Sequence, residues 1–88
     1  MKRTRVVLSD HAQNECVRRG IPEAAVRRAV RFPEQVLPVR PGREVRQALV
    51  SFPPDGAVYL LRAIVDVSPG LVAMVTAYRT SKVEKYWR

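Results

Sequence analysis

Two side chains in this sequence invite a chemical explanation: His11, the lone histidine, and Arg62, set in the middle of the apolar run VYLLRAIVDV. An imidazole with an unperturbed pKa of about 6.5 can take or give a proton near neutral pH. The plainer reading of His11 is a polar residue in the first turn of a helix. An arginine inside a strand core must be paired or used, because burying an unpaired charge costs several kcal/mol. Arg62 therefore either forms a salt bridge with Asp66 or Glu44, or clamps a phosphate through its planar fork of donors. Thr76 and Tyr78, in VTAYR, alternate on a later strand. The Tyr78 phenol can donate to a phosphate or stack on a base, or it can be a strand aromatic with its hydroxyl in water.

The C-terminal stretch RTSKVEKYWR interleaves Arg79, Lys82, Lys85 and Arg88 with Tyr86 and Trp87. Cations with rings between them can hold a phosphate backbone while bases stack, at roughly 1–3 kcal/mol per stacked base. Lys82, Lys85 and Arg88 are expected to set affinity and its salt dependence, with Tyr86 and Tyr78 as stacking surfaces; Arg46 and Arg79 extend the basic face. Trp87 is expected to pack onto the sheet. Sixteen Lys and Arg against eight Asp and Glu give a net charge of +8, which favours polyanionic partners, nucleic acid before acidic protein or anionic lipid. The bland alternative is a solvated cationic surface. A single cysteine, Cys16, excludes an internal disulfide, and one His, one Cys and scattered carboxylates do not make a zinc site. Any catalysis is expected to be metal-free and to need no cofactor. The chain lacks a signal-peptide pattern and an apolar run of about 20 residues, so no membrane association and a cytoplasmic location are expected.

These residues need a scaffold, and 88 residues allow one domain, 1–88, of marginal stability. Residues 4–8, TRVVL, read as a short strand. Ser9 or Asp10 caps a first helix, with Gln13 completing a capping-box pattern, and Gly20 ends it. On that helix Ala12, Cys16 and Val17 face inward, and His11, Glu15 and Arg18 share the outer stripe. Pro22 opens a second helix whose Ala25, Val26, Ala29 and Val30 form an apolar stripe, and Pro33 closes it. A weak extended segment, EQVLPV, leads to a turn at RPG, and three strands follow at 43–52, 57–67 and 71–79. The expected fold is α+β: one short strand, two helices, then a curved antiparallel sheet of three or four strands.

If both hairpins close on three-residue loops, Ala48, Arg62 and Thr76 lie opposite one another. One face then carries Val45, Leu49, Tyr59, Leu61 and Val65 beneath the helices. The other mixes Glu44, Arg46, Arg62, Asp66, Thr76 and Tyr78 with Val50, Leu60, Ile64 and Met74, apolar residues that a partner or self-association is expected to cover. A two-residue turn at Ser68-Pro69-Gly70 is the alternative. That one-residue slip alone would carry Thr76 and Tyr78 to the helix side.

The segments SDHAQNECVRRGIPEAAVRRAVRFPE, GREV, VYLLRAIVDV and VAMVTAYRTSKVEKYWR together resemble a family of small bacterial proteins catalogued as domain of unknown function 4258, over residues 9–88. The matching positions are His11-Ala12, Arg19-Gly20-Ile21, Gly42-Arg43, Arg62, Thr76-Ala77-Tyr78 and the final Lys85-Tyr86 pair. Glu15 stands where members commonly carry a basic residue. That family is similar to the RelE/ParE-like superfamily of small toxins, with a strand, two helices and a curved antiparallel sheet. The resemblance implies metal-independent RNA endonuclease activity, often on a translating ribosome, and a cognate antitoxin partner. In 2′-hydroxyl attack one group takes a proton, another protonates the departing 5′-oxygen, and cations hold the phosphorane. His11, Arg62, Thr76 and Tyr78 are the residues for these tasks, with Lys85 completing the site as the resemblance implies. A non-catalytic nucleic-acid- or antitoxin-binding module, which Glu15 favours, and a gyrase-directed toxin are the alternatives on the same fold.

Overall fold

Local signals start and stop the two long helices. In the computed structural model, which describes residues 4–52 and 56–88, the Ser9 hydroxyl accepts from the Ala12 N–H (3.1 Å) and caps α1, Asp10–Arg18. The helix ends in a Schellman arrangement: Ile21 N–H reaches Cys16 C=O and Gly20 N–H reaches Val17 C=O, with Gly20 at φ +67°. Pro22 then caps α2, Glu23–Arg31, and Phe32 closes it ahead of Pro33. Ala12 and Cys16 on α1 and Val26, Ala29 and Val30 on α2 are buried in one core cluster with Leu61, Ala63, Val65, Val72, Met74 and Ala77 from the sheet. Val17, expected inside, is 80% exposed.

The sheet is larger than the sequence indicated. Its five strands are β1, Arg5–Leu8; β2, Gln35–Arg40; β3, Arg43–Phe52; β4, Ala57–Ser68; and β5, Leu71–Thr80, in the order β1-β5-β4-β3-β2. The weak segment around EQVLPV is thus a full edge strand, a position that tolerates Pro38 because one side of the strand needs no N–H. β1 pairs parallel with β5 and makes the sheet mixed, whereas the other pairings are antiparallel. A short third helix, α3, Val83–Tyr86, follows β5. No helix among the described residues is long and apolar enough to cross a membrane.

The first expected loop length is corrected, and at the second hairpin the two-residue alternative is the one observed. β3 and β4 pair from Phe52↔Ala57, one residue off the expected register, so Gln47 rather than Ala48 faces Arg62. Pro53, Pro54 and Asp55, part of the expected turn, lie outside the described residues. The slip exchanges the faces of β3. Glu44, Arg46 and Val50 turn toward the helices, as the Arg46 hydrogen bond to Val30 C=O shows, and Val45 and Leu49 join the open face. The second hairpin closes on the two-residue Pro69–Gly70 turn, pairing Ser68 with Leu71.

That turn alone would have carried Tyr78 under the helices. The ladder shifts once more between Ile64 and Val65, where Val75 is the extra residue of β5, and beyond this bulge Arg62 pairs with Tyr78 and Ile64 with Thr76. Before the bulge Val72 and Met74 face the core; after it Ala77 does. The apolar residues expected to need an outside partner are largely covered by the chain itself, since Leu60 is 0% and Met74 3% exposed. Deleting Val75 should make the ladder continuous while leaving Tyr78 opposite Arg62, because only the unpaired residue is removed. Nuclear Overhauser contacts between the Tyr78 ring and the Arg62 side chain should then survive, and their loss would contradict the assignment of Val75 as the extra residue.

Candidate nucleic-acid interface

Strand pairing sets Gln47, Arg62 and Tyr78 in one row across β3, β4 and β5, on the face away from α1 and α2. Gln47 is fully buried, and its amide is fully employed. Its Oε1 accepts from Arg62 Nε (2.9 Å), and its Nε2 donates to Gln35 Oε1 (2.7 Å) and to Tyr86 C=O (3.2 Å). Because a guanidinium only donates and a carbonyl only accepts, these partners leave one orientation for the amide. Arg62 Nη1 donates to the Tyr78 hydroxyl at 2.5 Å. The guanidinium carbon lies 4.2 Å from the Tyr86 ring centroid and 5.7 Å from that of Tyr78, and the two rings meet edge to face at 6.3 Å.

The C-terminal segment reaches this face through backbone contacts. The Gln35 side chain donates to Arg88 C=O (2.6 Å) and accepts from Arg88 N–H (3.1 Å), so β2 and β3 each offer one amide to hold it. Lys85 Nζ lies 5.4 Å from the centroid of the Tyr86 ring. Lys82, Lys85 and Arg88 are exposed, and the described residues give their side chains neither a hydrogen-bond nor an ion-pair partner. Trp87, expected to pack onto the sheet, is 36% exposed and does not belong to the core cluster of the described residues.

Neither carboxylate expected beside Arg62 engages it. Asp66 is paired in bidentate fashion by Arg43 (2.6 and 2.9 Å), and Glu44 by Arg46 (2.7 Å). Hydrogen bonding from Arg43 holds the Asp66 carboxyl below its usual range and, reciprocally, Asp66 pushes the Arg43 guanidinium up. Among the described residues Arg62 has no acidic partner, and its Nη2 has no hydrogen bond. That nitrogen reaches solvent, because no buried side-chain polar atom there lacks a partner. A guanidinium held by neutral groups keeps its charge uncompensated and one donor edge free, a fitting arrangement for an oxyanion.

His11 is placed elsewhere. It stands on α1, 75% exposed in its side chain, and among the described residues its one ionic partner is Glu15 at 3.7 Å. Glu15 also pairs with Arg18 and Arg19; the hydrogen bond from Arg18 leads in holding its carboxyl below the usual range, against desolvation, with charge from Arg18, Arg19 and His11 adding to it. Arg19 carries this network to the free edge of β5 beyond β1, bonding Ala77 C=O (2.6 Å) and the Thr76 hydroxyl (3.4 Å). Thr76 thus shares the Arg62 face but is engaged from its rim.

Of the other basic candidates, Arg46 and Arg79 point to the helical side, Arg46 through Val30 and Glu44 and Arg79 onto the Phe52 and Tyr59 rings. The structure therefore brings together Arg62, Tyr78, Tyr86 and Lys85, and leaves His11, Arg46 and Arg79 outside the group. Sequence reasoning missed Gln47 and Gln35. The available signal was a lone neutral amide in the strand EVRQALVSF, opposite an arginine in need of a partner. No protein-family model, no curated protein and no solved structure matches the chain.

Replacing Gln47 by Leu should deprive Arg62 Nε and Tyr86 C=O of their amide partner, at about 1–3 kcal/mol for each group that stays buried and unsatisfied, whereas Gln35 keeps its bonds to Arg88. A lowered urea midpoint and faster amide exchange at Tyr86 and Trp87 would show it; unchanged exchange would mean that the amide does not hold the segment. Asp66 titrates lower folded than unfolded, so its ion pair stabilises above the ordinary carboxyl value of about 3.9 and is lost as pH falls through the depressed folded value. Asp66→Asn should flatten the acid limb of a stability-versus-pH curve, and a limb as steep as in the parent chain would contradict this.

Proposed function

We propose that the sheet face away from the helices binds RNA, with Arg62 holding a phosphate, and that the chain is a metal-independent endoribonuclease of the RelE/ParE-like toxin type within the domain of unknown function 4258 family. The observation that carries this is the uncompensated guanidinium of Arg62, braced by Gln47 and Tyr78 and stacked on Tyr86, beside the free cations Lys82, Lys85 and Arg88. The order of one strand, two helices and an antiparallel hairpin series is consistent with that fold.

These contacts support the following chemistry. The 2′-oxygen attacks phosphorus and gives its proton to solvent water, the P–O5′ bond breaks, and the 5′-oxygen takes a proton from the Lys85 ammonium, leaving a 2′,3′-cyclic phosphate and a 5′-hydroxyl. Arg62 Nη2 is the donor free to hold a non-bridging oxygen. The Tyr78 hydroxyl accepts from Arg62 and so retains its own proton to donate to the phosphate. Lys85 is the cation placed to serve the leaving oxygen, and Tyr86 offers a ring for a base. The ribosome and a cognate antitoxin are the partners this reading entails, in the cytoplasm.

A second reading rests on a specific observation. The one side chain with a near-neutral reference pKa, His11, lies with Glu15 on α1 and outside the Arg62 group. A non-catalytic RNA- or antitoxin-binding module needs only the phosphate-holding face.

Purified chain incubated with single-stranded RNA in a chelator separates the two. Arg62→Ala should weaken binding roughly tenfold or more, about 1.4 kcal/mol. Tyr78→Phe and Lys85→Ala should abolish cleavage while binding persists, and His11→Ala should change neither. Binding without cleavage, on free and on translated RNA and with no toxicity on induced expression, supports the second reading. Binding indifferent to Arg62→Ala defeats both.

A further inference from the structure

Five described arginines are half-buried: Arg27, Arg43, Arg46, Arg62 and Arg79. Four of them donate hydrogen bonds to other residues of the chain. Arg27 bonds Glu23 and Val6 C=O, Arg43 bonds Asp66, Arg46 bonds Glu44 and Val30 C=O, and Arg62 bonds Gln47 and Tyr78. Arg79 donates none, since among the described residues no hydrogen bond and no carboxylate engages it.

Arg79 is nevertheless held in place. Its guanidinium carbon lies 4.7 Å from the Phe52 ring centroid and 4.8 Å from that of Tyr59, two rings that meet edge to face at 5.6 Å. A Cβ built on Gly20 would stand 3.7 Å from Arg79 Nη2, so the turn between α1 and α2 borders it as well. Arg19, next to that glycine, sends its own guanidinium to Ala77 C=O, two residues before Arg79 on β5. Ring contacts act on the π system and leave the in-plane N–H donors available. Those donors reach solvent, because no buried side-chain polar atom among the described residues lacks a partner.

We propose that Arg79, fixed between Phe52 and Tyr59, is the centre of a second oxyanion site that takes a phosphate group, on the side of the sheet opposite Arg62. The planar fork suits carboxylate and phosphate alike. A phosphate, with more charge and more acceptor oxygens, gains more beside Arg19 on a chain of net charge +8. The site stands on its own geometry and does not require that the Arg62 face bind or cleave RNA. The phosphate comes either from a polynucleotide backbone or end, or from free phosphate.

The arginine Nε–H resonances of the intact chain provide the test, titrated in separate arms with inorganic phosphate, with a single-stranded oligonucleotide, and with the same oligonucleotide carrying a 5′-phosphate. The Arg79 signal should shift saturably with phosphate, in the parent chain and equally in Arg62→Ala. A further gain with the 5′-phosphate would assign the site to chain ends, and equal response to both oligonucleotides would assign it to the backbone. Arg79→Lys keeps the charge but loses the fork, and should weaken oligonucleotide binding roughly three- to tenfold with the urea midpoint unchanged. A linear, unsaturated shift like that of exposed Arg28 would overturn the proposal. So would loss of the shift in Arg62→Ala, or saturation by a polyglutamate peptide in place of phosphate.

Discussion

The open face of this sheet depends on the carboxamide of Gln47. A fully buried amide must satisfy its oxygen and its two N–H donors or cost the fold dearly. Here the oxygen goes to Arg62, and the nitrogen goes to Gln35 and to the backbone of Tyr86. One side chain thereby sets the direction of a guanidinium and the path of the C-terminal segment. Had position 47 carried a carboxylate, the same place would hold a neutralising salt bridge. The neutral amide orients Arg62 without cancelling its charge.

Backbone irregularity matters as much as side-chain chemistry. A two-residue turn at Pro69–Gly70 and a bulge at Val75 each shift the side-chain alternation of β5 relative to β4, and the second shift undoes the first. Only past the bulge does Tyr78 meet Arg62. The same alternation gives the sheet two basic centres of different character: Arg62 sits in a polar row latched by amides, whereas Arg79 sits between rings against the helical layer. At the basic end of α1 the Glu15 carboxylate engages Arg18, Arg19 and His11.

Local signals made the helices legible. Ser9, Gly20, Pro22 and Pro33 act within a few residues of where they stand, and each falls at a helix boundary of the structure. The pairing of Arg62 with Tyr78 was legible as a shared face, although the direct contact was not. Registers were poorly legible because they rest on loop geometry: one miscounted residue between β3 and β4 exchanged the faces of Arg46 and Val45, and nothing in VAMVTAY marks Val75 as the bulge. β2 read only as a weak extended segment because its residues are mostly exposed, as suits an edge strand. Gln47 and Gln35 escaped because neutral amides carry no charge signal, and their value appears only once strand pairing brings them to Arg62 and the chain end.

The most direct test of Arg62 as a phosphate-holding centre is a crystal structure of the chain with a 2′-O-methyl RNA oligonucleotide, whose blocked nucleophile prevents cleavage. The account places a phosphate oxygen within hydrogen-bond distance of Arg62 Nη2 and of the Tyr78 hydroxyl, with a base against Tyr86. An oligonucleotide bound only along α1 and α2, with Arg62 Nη2 still facing water, would contradict it.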